Sequence, residues 1–245
     1  MLLKFRTLFF TLIYFTGLQI IATKPSWLFL ISSLLFLITL TECIWVSDRF
    51  YLSILPVIFT LSSISLLNFI SLVSQQQIFI ALASSMYYLS LFGTYRLNNY
   101  INDQTAKGMN MAVSLATIFF SFTSGYGIYL NFLVPLWSLM ILYLMITLLI
   151  SYQYFNLISQ NKIKIWTYSF LLSLVMAELV WTMNFWPFGY LITGTIAMIL
   201  YFILWDLSKS YLLDILSRKR VVANLILFAF MISAVLLSAK WIPVI

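Results

Sequence analysis

From Phe5 to Ala239 the chain is a succession of uncharged apolar runs broken by short polar or basic connections. Each run lasts about 18–25 residues, which suits a helix crossing a hydrocarbon layer of roughly 30 Å; the strands of a membrane barrel alternate over about ten residues instead. Nine runs can be laid out: Phe5–Ala22, Ser26–Val46, Tyr51–Val73, Ile78–Tyr95, Met109–Tyr129, Leu133–Phe155, Ile165–Phe185, Phe188–Leu207 and Val221–Ala239. Hydrophobic residues make up 63% of the sequence and charged ones 8%. A water-soluble fold of that composition would have to show mostly hydrocarbon on its surface. The expected fold class is all-α: a polytopic helical membrane protein with nine transmembrane helices. Residues 1–245 form one membrane domain with no soluble domain, because no connection is long enough to make one. The opening MLLKFRTLFFTLIYFTGLQIIA has a basic start and a hydrophobic run but no A-x-A cleavage pattern, so it reads as the first span.

Basic residues test the count and give an orientation, since Lys and Arg gather in short cytoplasmic loops. With the N-terminus inside, one side collects Lys4, Arg6, Arg49, Arg96, Lys107, Lys162, Lys164, Lys209, Arg218, Lys219 and Arg220, and the other only Lys24 and Lys240. The N-terminus is expected to be cytoplasmic and the C-terminus external. The net charge of +7 is accounted for by these loops, with no call for a nucleic-acid partner. The segment DLSKSYLLDILSRKR (206–220) spaces Leu207, Tyr211, Leu212, Ile215 and Leu216 as a helix does. It reads as an amphipathic interfacial helix or as an extension of the eighth span. Arg218, Lys219 and Arg220 are candidate contacts for anionic lipid headgroups.

Several chemistries are unsupported. The chain has no histidine and one cysteine, Cys43, which removes zinc and haem ligation, histidine base catalysis and an internal disulfide. No P-loop or dinucleotide glycine pattern occurs, and the external connections carry no acid. Neither an enzyme nor a cofactor is expected.

The acids are Glu42, Asp48, Asp103, Glu178, Asp206 and Asp214. Asp48, Asp103 and Asp214 fall in loops, and Asp206 can pair with Lys209 three residues on. Glu42 lies near the inner end of the second run, and shares a face with Arg49 only if that helix continues past Asp48. Glu178 lies 13 residues beyond Ile165, about 20 Å along a helix axis. A carboxylate at that depth is expected to face the protein interior or a wet cavity, or to be protonated. Glu178, Trp181 and Asn184 echo Glu42, Trp45 and Asp48 in the form E-x-x-W-x-x-[DN]. The two copies run oppositely through the membrane, as inverted repeats of transporters do, and a four-plus-one-plus-four layout accommodates them. Eight tryptophans gathered near interfaces also make such a three-position match easy by chance, and the halves show no other similarity. Glu178, Trp181, Asn184, Glu42 and Trp45 form the candidate intramembrane polar site.

Other polar groups, Ser62, Ser65 and Asn68 on the third run and Ser84, Ser85 and Tyr88 on the fourth, suit helix packing, with lining of a cavity as the alternative. Helix breakers are few, with seven glycines in all; Pro56 and Pro135 are the candidate kinks.

The run AELVWTMNFWPFGYLITGTIAMILYFILWDL resembles segments of uncharacterised multi-spanning bacterial membrane proteins. The resemblance covers mainly residues 177–207; it implies a multi-pass protein of the bacterial plasma (inner) membrane and carries no activity. The expected function is a small-solute or lipid permease. The alternative is a non-transporting scaffold or a lipid-contacting subunit of a larger complex. Membrane lipids, and protein partners within the membrane, are the expected contacts.

Overall fold

The computed structural model describes residues 2–47, 49–100, 102–132 and 134–239. Among these the chain is all-α, with no strand. Its helices are α1 (Leu2–Thr23), α2 (Leu28–Val46), α3 (Ile54–Leu67), α4 (Val73–Asn99), α5 (Gln104–Asn131), α6 (Leu136–Ile158), α7 (Lys162–Met183), α8 (Tyr190–Leu212) and α9 (Arg218–Ser238). Short 3₁₀ turns, Pro25–Trp27 and Phe50–Ser53, lead into α2 and α3. Counted with those turns, nine helical segments of the described residues are long and apolar enough to cross a membrane.

The helix ends explain where the sequence windows were too short or too long. Asn161 and Ser217 cap α7 and α9, accepting the backbone N–H groups of Lys164 (3.2 Å) and Arg220 (3.3 Å). The third run stops at Leu67 rather than Val73, and the Asn68 side chain donates to the Ile64 carbonyl at the break. Pro56 is not a kink. It sits in the first turn of α3, where a missing N–H goes unneeded, and Pro135 likewise precedes α6. The 206–220 segment resolves into an extension of the eighth run: α8 continues to Leu212, and a turn follows in which Asp214 has φ 55°. Short polar residues tolerate that left-handed conformation better than most.

The chain divides into two compact units, Met1–Phe120 and Ser121–Ile245, so the division falls inside α5. In the first unit α1 packs against α4 and α2, α2 against α3, and α3 against α4. Ile31, Leu35, Thr39, Glu42 and Val46 of α2 are buried at helical spacing. Tyr14 of α1 stacks on Tyr87 of α4 (4.2 Å), and one end of the pair is fastened by Gln19 and Gln77, whose amides exchange bonds of 2.6 and 3.1 Å. These contacts fix an antiparallel register between α1 and α4. In the second unit α6 packs on α7, α7 on α8 and α8 on α9. Tyr143 stacks on Phe122 (3.9 Å) and donates to its carbonyl, while the Tyr126 hydroxyl donates to Val180. Two glycines allow close approach there. Gly125 faces the Tyr143 ring, and a Cβ on Gly194 would lie 3.1 Å from the Thr123 Cα.

Candidate functional site

The first unit holds a buried ion pair. Arg6 of α1 donates through Nε (3.0 Å) and Nη2 (2.6 Å) to a single oxygen, Oε2, of Glu42. The Glu42 side chain is 1% exposed and that of Arg6 36%. The Arg6 guanidinium also lies near the Phe10 ring (5.9 Å) and the Trp45 ring (5.8 Å). Rings of this kind stabilise a cation through their negative faces. Arg49 is not the partner of Glu42, because α2 ends at Val46 and the chain then extends. Trp45 itself is 78% exposed and touches the site only through Arg6.

Polar groups continue from this pair through the unit. The Tyr14 hydroxyl meets Ser63 Oγ (2.5 Å), and Thr39 Oγ1 meets both the Tyr87 hydroxyl (2.9 Å) and Thr60 Oγ1 (3.3 Å). Five buried groups of this unit bond to no described residue: Glu42 Oε1, Ser84 Oγ, Ser90 Oγ, Thr94 Oγ1 and both amide atoms of Asn110. Tyr87, Ser90 and Thr94 follow one face of α4 at spacings of three and four. Gly93 admits the α5 backbone beside them: a Cβ there would be 3.9 Å from the Asn110 nitrogen. The antiparallel register, continued from Gln19–Gln77 and Tyr14–Tyr87, sets Arg6 level with Thr94. Arg6, Glu42, Thr94 and Asn110 therefore lie four to six residues inside their helix ends, about 6–9 Å along the axis. An unmet buried polar atom costs about 1–3 kcal/mol. At about this level the unit offers an acceptor carboxylate oxygen, hydroxyls and a carboxamide that both donates and accepts. That set suits water or a small polar solute.

The second copy of the motif is arranged differently. Glu178 is exposed on α7, with no hydrogen-bond or ion-pair partner among the described residues. Leu171, Leu174, Trp181 and Phe185 share its exposed side. Trp181 packs edge-on against Phe185 (5.4 Å), and Asn184 caps α7 through its backbone N–H to the Val180 carbonyl (3.1 Å). So Glu42 is paired with Arg6, whereas Glu178 has no such partner among the described residues. Sequence spacing could not reveal Arg6 as the partner of Glu42, because it comes from another helix.

At the other connections two ion pairs form among the described residues. Asp206 takes its hydrogen bonds from Arg220 (3.2 and 3.0 Å) and Asn224 (2.9 Å), while the Lys209 charge still acts on it and the Lys209 ammonium lies 5.0 Å from the Trp205 ring centre. Arg218 and Lys219 stay exposed, and Arg220 is tied down. Arg96 pairs with Asp103 (2.5 Å), which also accepts the Ala106 N–H (3.2 Å). Desolvation pushes the Asp103 carboxyl up, but these donors outweigh it and hold the group below its ordinary value.

Long apolar helices define an all-α protein built from helices of membrane-spanning length. The chain belongs to the family described as protein of unknown function (DUF5656), whose model matches residues 42–238. The match takes in Glu42, Glu178 and Asn110 and starts after Arg6. No curated protein and no solved structure matches the chain.

Proposed function

We propose that this chain is a multi-pass membrane protein of the bacterial plasma membrane whose first unit binds a small polar solute, in the manner of a permease. Its nine long apolar helices support the membrane reading, and the bacterial assignment follows the resemblance of residues 177–207. The orientation is N-terminus inside and C-terminus outside, by the distribution of basic residues. The observation that carries the solute reading is the Arg6–Glu42 pair. One carboxylate oxygen is fully committed and the other, with Asn110, Ser90 and Thr94, is left to bond something else. The test uses the purified protein in vesicles, with osmotic reswelling recorded for a panel of small polyols, amides and amino acids. Wild-type protein should speed reswelling with at least one solute, and Glu42→Gln and Asn110→Leu should abolish the gain in protein that still folds and inserts, with Glu42→Gln losing some thermal stability because Arg6 is left without its counter-charge. Reswelling at the protein-free rate throughout overturns the reading.

A second reading, a non-transporting subunit that assembles within the membrane, rests on Glu178. A carboxylate five residues inside the end of α7, about 7.5 Å deep, is costly against lipid and is relieved by a partner helix bearing a donor. Failure of the transport assay together with a smaller detergent-solubilised particle for Glu178→Leu favours this second reading.

A further inference from the structure

The connection between α4 and α5 and the corner after α2 enclose a polar cleft of about 560 Å³ in the first unit. Its walls are Arg49, Asn98, Asn99, Tyr100, Asn102 and Asp103. This volume falls in the range of small-ligand sites, about 300–1,000 Å³. The charges in it are unequal. Asp103 is spent on Arg96 and on the Ala106 N–H. Arg49 has no carboxylate partner among the described residues, and its guanidinium donates to the Tyr51 hydroxyl at 3.3 Å. Among the described residues a cation is thus left over at the mouth. The carboxamides of Asn98 and Asn102 bond to no described side chain or backbone group. Asn99 gives its amide to the Tyr95 carbonyl (3.0 Å) and keeps its oxygen. Around the cleft, Phe50 and Tyr100 are 75% and 72% exposed. Aromatic rings at that kind of position belong to the boundary between headgroups and hydrocarbon.

We infer that this cleft binds a phosphate diester bearing free hydroxyls, the headgroup of a phosphatidylglycerol-type lipid. Arg49 supplies the fork-shaped donor that a phosphate oxygen pair fits, and the asparagines take the glycerol hydroxyls. A zwitterionic headgroup carries the same phosphate, but its trimethylammonium has no donor for the carboxamide oxygens and is repelled by Arg49. The inference rests on the membrane reading above, though not on transport. It concerns a different end group from Arg218 and Lys219, which lie exposed without a cleft.

Native mass spectrometry of the full chain in mild detergent tests it, with phosphatidylglycerol, phosphatidylcholine and free glycerol phosphate as probes. Wild-type protein should hold phosphatidylglycerol in preference to phosphatidylcholine. Arg49→Gln should weaken that binding about tenfold, as losing a hydrogen bond to a charged group does. Arg49→Lys should keep part of it, and Asn98→Leu should erode the preference over phosphatidylcholine. Arg218→Gln with Lys219→Gln should leave it unchanged. Competition by glycerol phosphate at equal concentration would make the free phosphate, rather than the lipid, the ligand, and so overturn the lipid assignment. Equal binding of both lipids, or an Arg49→Gln protein that binds as wild type does, overturns the inference outright. An alkaline carbonate wash separates this from the membrane reading: extraction of the wild-type chain defeats the latter, whatever the lipid titration shows.

Discussion

Glu42 and Glu178 share a sequence context, yet one is sealed against Arg6 and the other stands on the surface of its helix. The difference comes from a residue 36 positions away, which no local pattern encodes. Isolated burial of a carboxylate costs several kcal/mol, and a guanidinium with two short bonds offsets much of that. Removing one member of such a pair hurts more than removing both, because the survivor loses its counter-charge. Glu42→Leu should therefore lower stability by about 1–3 kcal/mol, discounted from fully buried pairs because Arg6 reaches solvent. Arg6→Met added to Glu42→Leu should restore at least half of the loss. Melting curves followed by tryptophan fluorescence in detergent give both values. A double variant whose loss equals the sum of the single losses means that the two side chains are not coupled.

At the level of elements, the position of nearly every helix was legible, because run length and uncharged composition are what fix a long apolar helix. The faces were not. A soluble helix shows its buried side by alternating with water, but here lipid-like and core-like residues are chemically alike. Leu174 and Met176 of α7 read the same, and one is exposed while the other is fully buried. Prolines misled for a related reason: Pro56 lies in an apolar run, and only the 3₁₀ turn before α3 shows that it begins a helix rather than bending one. Close approach was also hidden, since a glycine's role depends on what stands opposite. Gly194 faces the Thr123 Cβ at 3.0 Å and Cα at 3.1 Å, measured from an added Cβ, so the obstacle includes backbone. Gly17 faces only the flexible end of Leu35. Gly194→Ala should cost about 1–3 kcal/mol by forcing α8 away from α5, the usual penalty of overpacking. Gly17→Ala should cost clearly less, since Leu35 can change rotamer. Matched thermal melts of the two variants decide, and equal losses would refute the close-approach account.

For the whole molecule, the division inside α5 agrees with a four-plus-one-plus-four count, but the packing within the two units does not repeat. The first unit pairs α1 with α4, its first and last complete helices, whereas the second is held by α6 on α7 and α7 on α8. With Glu42 buried and Glu178 exposed as well, the shared E-x-x-W pattern tracks tryptophan's preference for helix ends better than a duplicated site. Orientation then rests on charge alone. Arg6, Arg49 and Arg96 meet at one end of the first unit, through the Arg6–Glu42 pair, the Arg49 cleft and the Arg96–Asp103 bridge. In the second unit Tyr168 near the start of α7 lies 4.9 Å from Tyr211 near the end of α8, which gathers Lys162, Lys164, Lys209 and Arg218 at one end. Basic loops are retained on the cytoplasmic side, so these ends should be inaccessible from outside the cell. Cys43 is fully buried, which lets a single introduced cysteine report without background. With a membrane-impermeant maleimide on intact cells, Lys24→Cys should label at once and Asn161→Cys only after lysis. Labelling of Asn161→Cys in intact cells would reverse the orientation, and labelling of both positions would mean that the number of crossings between them is even rather than odd.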